Sequence, residues 1–457
     1  MTTMNSVDAK PPGFHWVTSG RTVAICAAVL VFVWPLPNVI ALRIILLLGL
    51  LAFLTSELVR KPSLRVFSVG TRWIAMVLTG LGIWLVVISL LVFDDPAGSI
   101  AELKGGWLRT FAAFSVGLLL PAALQTRNIE TKTLTRLLFW ALFSLAAIQF
   151  LVGLWLSLFT GGMPEYFGGI FDHKANITFV NAITASLLLA DIATPGQSRR
   201  ILGLNRIAWI ACFLLVLVTT YFSGARNGIL VLLFLILVGC VVHLPGYWRL
   251  PRWKLWVLVG ALMAFLVAAF WVMIKTDIRW ARFLATVPVA WDIDKSHSWI
   301  NIKKFPPPPA ADGAPVEDTA YERISWARYA MRLIAEHPFG TELSRNAFRN
   351  LVTKKFGETQ AAHSHNGYLD FALSAGLPGL FLWIVFLVAL TWQGYKVHLS
   401  GRNGAGLALL FLTAGFAARA FLDSILRDHI LEEFMFFAGL LLAASSCDDE
   451  TQLACNA

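Results

Sequence analysis

Three residues of this 457-residue chain carry side chains suited to chemistry on a phosphate-linked substrate. They are His365, at the head of His365-Asn366-Gly367-Tyr368-Leu369, Arg226, in Ser223-Gly224-Ala225-Arg226-Asn227-Gly228, and Arg323, in the polar stretch between them. A neutral imidazole, with an ordinary pKa of about 6.5, accepts a hydroxyl proton near neutral pH. Arginine keeps its charge and presents a planar fork that matches phosphate oxygens. Two of them suit a diphosphate and the charge that grows on it as it departs. Lys174, in Asp172-His173-Lys174-Ala175-Asn176, would add a cation, and His363, Asn366 and Arg43 are candidates for supporting roles. Plainer readings stand beside these. Arg226 fits a helix-end arginine snorkelling to headgroups. Arg323 shares its stretch with Arg328 and Arg332, as on a solvated face, and has Glu322 as an adjacent ion-pair partner. His365 fits an interfacial or capping histidine, and Lys174 an ordinary loop end.

The elements that must position these groups follow from composition. The chain is 57% hydrophobic and 14% charged, with a mean hydropathy of +0.69, which excludes an ordinary soluble globule and predicts an all-α polytopic membrane protein. Its formal charge of +10 fits anionic lipid headgroups, and nothing suggests a nucleic-acid groove. A helix crossing a ~30 Å hydrocarbon core needs roughly 20 residues. Suitable runs fall near 22–37, 38–58, 73–93, 106–124, 136–160, 176–194, 205–222, 227–244, 254–274, 367–394, 404–422 and 430–446, about twelve in all. The first is read as a retained helix rather than a cleaved leader, with an irregular end at Pro35 and Pro37.

The even-numbered connections are the basic ones, including Arg60 and Lys61, Lys132 and Arg136, Arg199 and Arg200, Arg249 and Arg252, and Lys396 and Arg402. Positive residues favour the cytoplasm, so both termini are expected there and the segment between the ninth and tenth spans faces the periplasm. The expected organisation is spans one to nine over 1–274, a periplasmic loop over 275–365, spans ten to twelve over 366–446, and a cytoplasmic tail over 447–457. A polar insert of that length is expected to fold over the membrane and carry function. Within it, Pro306 to Pro309 reads as a stiff elbow, and Tyr321 to Glu336 as an amphipathic helix closed by Pro338 and Gly340. Leu343 to Phe356 reads as a second helix, lying on headgroups.

Other chemistries find less support. The five cysteines offer neither a disulfide framework nor a thiolate metal site, and no metal ligand set is expected. Asp292-Ile293-Asp294 has the form of a glycosyltransferase metal motif but reads as surface charge, and Asp94-Asp95 as a turn before Pro96. No P-loop, G-x-S-x-G or H-E-x-x-H occurs. A twelve-span transporter or lipid-linked sugar flippase is the alternative of another class; it would have two related halves and polar groups near the bilayer midplane, whereas these candidates cluster at one face.

The stretch from His365-Asn366 to Gly376-Leu377-Pro378-Gly379 resembles the signature of the bacterial O-antigen ligase family. The Arg226 turn and the run from Arg323-Ile324-Ser325-Trp326 to Pro338-Phe339-Gly340 are similar to that family's arginine-bearing turn and loop, although Ser-Gly-Ala-Arg departs from the tighter Ser-Arg-Gly. The resemblance implies a multi-pass enzyme of the bacterial inner membrane with a periplasmic active site. It implies transfer of O-antigen polysaccharide from undecaprenyl diphosphate to a sugar hydroxyl of lipid A-core, with inversion and without metal, nucleotide or other cofactor. In that scheme His365 is the base, while Arg226 and Arg323, aided by Lys174, hold the diphosphate. O-antigen polymerase and protein O-oligosaccharyltransferase share the donor and remain alternatives.

Overall fold

A computed structural model describes residues 20–61, 71–91, 95–160, 169–171, 173–247, 278–401, 403–426 and 428–446, with isolated positions between 253 and 275. Among these residues the regular structure is entirely helical. The helices are α1 (Gly20–Val33), α2 (Ile40–Arg60), α3 (Arg72–Leu91), α4 (Pro96–Glu102), α5 (Leu108–Gln125), α6 (Thr131–Thr160), α7 (Lys174–Ala193), α8 (Arg206–Phe222) and α9 (Arg226–Tyr247). They continue as α10 (Ile278–Trp291), α11 (Asp318–Glu336), α12 (Ala347–Phe356), α13 (Gly367–Leu399), α14 (Ala405–Leu422) and α15 (Asp428–Ser446). Nine stretches of the described helices are long and apolar enough to cross a membrane, and α1 and α8 are shorter apolar helices. Eleven of the twelve expected runs are thus accounted for. The expected ninth, 254–274, and the expected tail, 447–457, lie largely or wholly outside the described residues.

The bundle is held by close helix contacts, since lipid tails give apolar faces little reason to leave them and association relies on packing. The tightest crossing joins α5 to α15. A methyl group on Gly117 would stand 2.0 Å from the Phe436 carbonyl oxygen, and one on Gly439 would stand 2.3 Å from that of Phe114. Each glycine thus admits the other helix's backbone. The first run ends earlier than its composition suggests: α1 stops at Val33, Trp34 is fully buried, and Arg43 folds back onto the carbonyls of Val33 and Leu36. That satisfies groups orphaned by the break at Pro35 and Pro37, and it places Arg43 at this break.

The long polar segment has its own apolar core, built from Ile293, Trp299, Tyr321, Trp326, Tyr329 and Leu333 among others, and joined by Ala372 and Leu373 of α13. The expected helix at Tyr321 to Glu336 begins one turn earlier, because the Glu317 side chain caps it by accepting from the Ala320 amide at 2.6 Å. The second expected helix starts at Ala347 and turns Phe348 and Val352 into this core. Its apolar face is covered by protein, where headgroup contact had been expected. The DxD-like aspartates are surface charge as expected: Asp294 takes both Nη atoms of Arg332 at 2.8 and 2.9 Å, and Asp292 pairs with Lys295. Asp95 caps α4 by accepting from the Gly98 amide.

The polar segment docks on a kink in α13. Gly376 leaves the helix with φ +74° and ψ 172°, and a methyl group there would meet the Phe339 backbone at 2.4 Å. Pro338 O accepts from the Leu377 amide at 2.8 Å, and Leu373 O from the Thr341 amide at 3.0 Å. Leu373 O, which the kink separates from the Leu377 amide, is therefore used by the docking segment. Just before the kink, Trp84 Nε1 donates to Ala375 O at 2.7 Å.

Replacing Gly117 with Val should lower the thermal midpoint of the purified protein by several degrees, equivalent to about 1–3 kcal/mol of overpacking. Gly80→Ala, where the added methyl meets nothing within 4 Å, should leave it unchanged; equal midpoints for both variants would contradict the close crossing.

Candidate functional site

The site forms where the last turn of α14 meets three other elements. The final carbonyls of a helix have no partner within it and carry the negative end of its dipole. Here Leu422 O accepts from Arg323 Nη1 at 3.3 Å and from Asn227 Nδ2 at 3.2 Å. Phe421 O accepts from Asn366 Nδ2 at 3.1 Å, and Asp423 O from the Gly367 amide at 3.2 Å. The first turns of α9 and α13 and the middle of the polar segment converge on one helix end. Arg226 adds an ion pair from the start of α9 to Glu317, the cap of α11, with Nη2 to Oε1 at 3.2 Å.

His365 sits in the left-handed region, at φ +58°, a conformation uncommon for a residue with a Cβ and costing roughly 1–2 kcal/mol. Neighbouring bonds determine it. The Ser364 amide donates to Asp370 Oδ1 at 2.8 Å, Ser364 Oγ donates to Asn366 O at 3.0 Å, and Asn366 Oδ1 caps α13 by accepting from the Tyr368 and Leu369 amides. Asn366 is thus placed as a clamp between α13 and α14.

The His365 ring stacks on Trp326 at 5.5 Å and 5° and lies 4.2 Å from the His363 ring. Its Nδ1 is buried and faces Asp423 Oδ1 at 3.6 Å, while the side chain as a whole is 20% exposed. The ring's other nitrogen, Nε2, is the one that does not face Asp423. Asp423 was not singled out in the sequence, although Arg419 and Asp423, four apart at the end of an apolar run, are spaced as a helical ion pair. Arg419 Nη2 is 3.7 Å from Asp423 Oδ2, with its side chain 2% exposed. Burial opposes ionisation of Asp423. His365, Arg419 and Arg323 outweigh that and hold its carboxyl well below the usual range.

Arg226, Arg323, His365, His363 and Asn366 are thus drawn to one end of the bundle. Lys174 opens α7 at that end: Thr178, one turn on, would touch a methyl group on Gly228, two residues after Arg226. Lys132, Arg199 and Arg200 line a cavity at the opposite end with Asn403 and Ala444. His363, His365 and Asp423 also bring three ligand atoms within 4.8 Å of one another, a grouping the sequence spacing does not reveal.

Such a site sets an imidazole and a carboxylate near the Arg323 guanidinium, with Arg226 at the same end of the bundle, in a partly dry environment where electrostatic interactions are stronger. Among protein-family models, the one described as O-Antigen ligase matches residues 211–384. That segment includes Arg226, Arg323 and His365 and ends before Arg419 and Asp423. Compared with the curated proteins, the chain matches none.

The depressed Asp423 carboxyl makes a signed prediction. Its ionised form stabilises the fold above the ordinary carboxylate value of ~3.9, and this contribution is lost as pH falls toward the lower folded value. Asp423→Asn should therefore melt below wild type at pH 7, with the gap closing below about pH 4. A gap independent of pH down to strongly acid conditions would argue against the ion pairing.

Proposed function

We propose that this chain, a multi-pass membrane protein whose segment 211–384 is of the O-antigen ligase family, is a ligase that moves O-antigen polysaccharide from undecaprenyl diphosphate to a sugar hydroxyl of lipid A-core. Members of that family are glycosyltransferase-like enzymes, and the ligase and polymerase branches form one superfamily. The observation that carries the finer reading is the juxtaposition of His365 with Arg323 and Asp423 around the end of α14.

In this reading Asp423 holds the His365 Nδ1–H, so that the lone pair lies on Nε2, the nitrogen that does not face Asp423. The acceptor oxygen attacks the anomeric carbon as its proton passes to Nε2. The bond from that carbon to the diphosphate oxygen breaks, and the diphosphate leaves with the electron pair. Attack opposite the leaving group inverts the anomeric centre. Arg226 and Arg323, with Lys174 nearby, bind the diphosphate and offset the charge it gains. Their positions are secured by contacts to Glu317 and Leu422, which limits the reorganisation required during reaction. The basic connections at the far end support an orientation with both termini in the cytoplasm and the site at the periplasmic face of the inner membrane.

His365→Ala in a purified, correctly inserted protein should reduce transfer roughly 10²- to 10⁴-fold, the usual contribution of a positioned base. Near-normal turnover would remove that role. Arg323→Gln should weaken use of the lipid diphosphate donor, and unchanged donor affinity with unchanged turnover would contradict the clamp. Product analysis with lipid A-core offered beside a second lipid-linked repeat discriminates ligase from polymerase: glycan should appear on lipid A-core.

A further inference from the structure

Two imidazole nitrogens and one carboxylate oxygen, from His363, His365 and Asp423, come within 4.8 Å of one another. Such a donor set suits Zn(II) and related first-row divalent ions, and is poorly suited to magnesium or calcium, which favour oxygen ligands. The geometry between His365 Nδ1 and Asp423 Oδ1 adds a second observation. At 3.6 Å the pair exceeds a normal N–H···O length, and among the described residues the buried Nδ1 has no partner within normal hydrogen-bond distance, so Asp423 holds it only through a long contact. Two ligand atoms each ~2.1 Å from a tetrahedral zinc ion stand about 3.4 Å apart, so small shifts would seat an ion between them. Arg419 lies against the opposite oxygen, Oδ2, leaving Oδ1 toward the histidines. The stacked Trp326 ring and the capped start of α13 fix the imidazole plane. Arg323 and Arg419 oppose a cation, which makes this a site of moderate affinity rather than a structural metal centre.

We propose that His363, His365 and Asp423 form a binding site for Zn(II)-class cations whose occupancy inhibits transfer. The inhibition rests on the reading of His365 as the base. A neutral imidazole carries one N–H and one lone pair. A metal bound at Nδ1 uses the lone pair there and confines the remaining ring proton to Nε2, which then cannot accept a proton from a hydroxyl. Metal binding and proton acceptance are mutually exclusive on this ring, and the open coordination positions are filled by water.

The test titrates the purified full-length protein with Zn(II) against a chromogenic chelator, and separately with Co(II), following the visible absorption of the bound ion. Wild type should bind one ion per chain, with affinity reduced at least tenfold in His363→Gln and in Asp423→Asn. Saturating Zn(II) should slow wild-type transfer at least tenfold, reversibly with chelator, while His363→Gln should keep most of its own metal-free rate under the same Zn(II). Absence of stoichiometric binding to wild type, by either ion, overturns the site even if the variants fail to fold. Affinity unchanged in both variants overturns it as well, and binding without slowed transfer overturns the inhibition. Normal transfer by His365→Ala in metal-free buffer would remove the base reading and leave the binding measurements to be judged on their own.

Discussion

The unpaired carbonyl end of α14 is the constraint on which the rest of the site depends. A helix that stops inside a protein must find donors for its last carbonyls. Here they come from Arg323, Asn227, Asn366 and the Gly367 amide, which belong to three separate stretches of chain. Each donor is a neighbour of, or identical with, a group proposed to act on substrate: Asn227 follows Arg226, and Asn366 follows His365. Satisfying the backbone and assembling the reactive groups are the same event. The small side of Gly367 permits it, since a methyl group there would come within 3.2 Å of Ala420 O.

The second constraint is the kink at Gly376. In sequence, the Gly-x-x-Gly pair of α13 and the Pro338-Phe339-Gly340 turn are unconnected signals, nearly forty positions apart. In the fold they form one joint, with Phe339 backbone where a Gly376 side chain would otherwise stand. Gly379 serves the same joint from the other side, close to Trp84 and Ala375. This gives a physical reason for glycine at both positions: at Gly376 it lets backbone approach backbone, and at Gly379 it makes room for the Trp84 and Ala375 side chains. Arg323 and His365 owe their proximity to this joint, because α11 runs into it and α13 passes through it.

Much of this architecture is legible from sequence, because long apolar runs and basic connections are averaged signals that local detail cannot erase. Eleven of twelve runs reappear as apolar helices, and the polar segment folds as a unit over one end. Cation and histidine candidates could be found because they interrupt that apolar background near predicted helix ends. Asp423 carries no such mark: it is one carboxylate at the end of a span, its spacing from Arg419 indicates a helical ion pair, and only the packing of α14 against α13 brings His365 to it. Arg43 shows the converse. A charge within an apolar run marks a functional pathway by default, and the pattern alone does not reveal that this one also bonds to carbonyls at a neighbouring helix break. The second loop helix has an amphipathic pattern that suits headgroups, and the pattern does not say whether lipid or protein will cover the apolar face.

The first turns of α13 are shared between two cores. Ala372 and Leu373 join the core of the polar segment, while Phe371 and Ala375 beside them, and Trp383 and Phe386 beyond the kink, belong to the bundle core. His365 stacks on Trp326 of the polar segment, and its neighbours Asn366 and Gly367 bond to the end of α14. The imidazole thus stands where one stretch of helix serves both, so a displacement of the polar segment would reach it through its stacking partner while its backbone stays with the bundle.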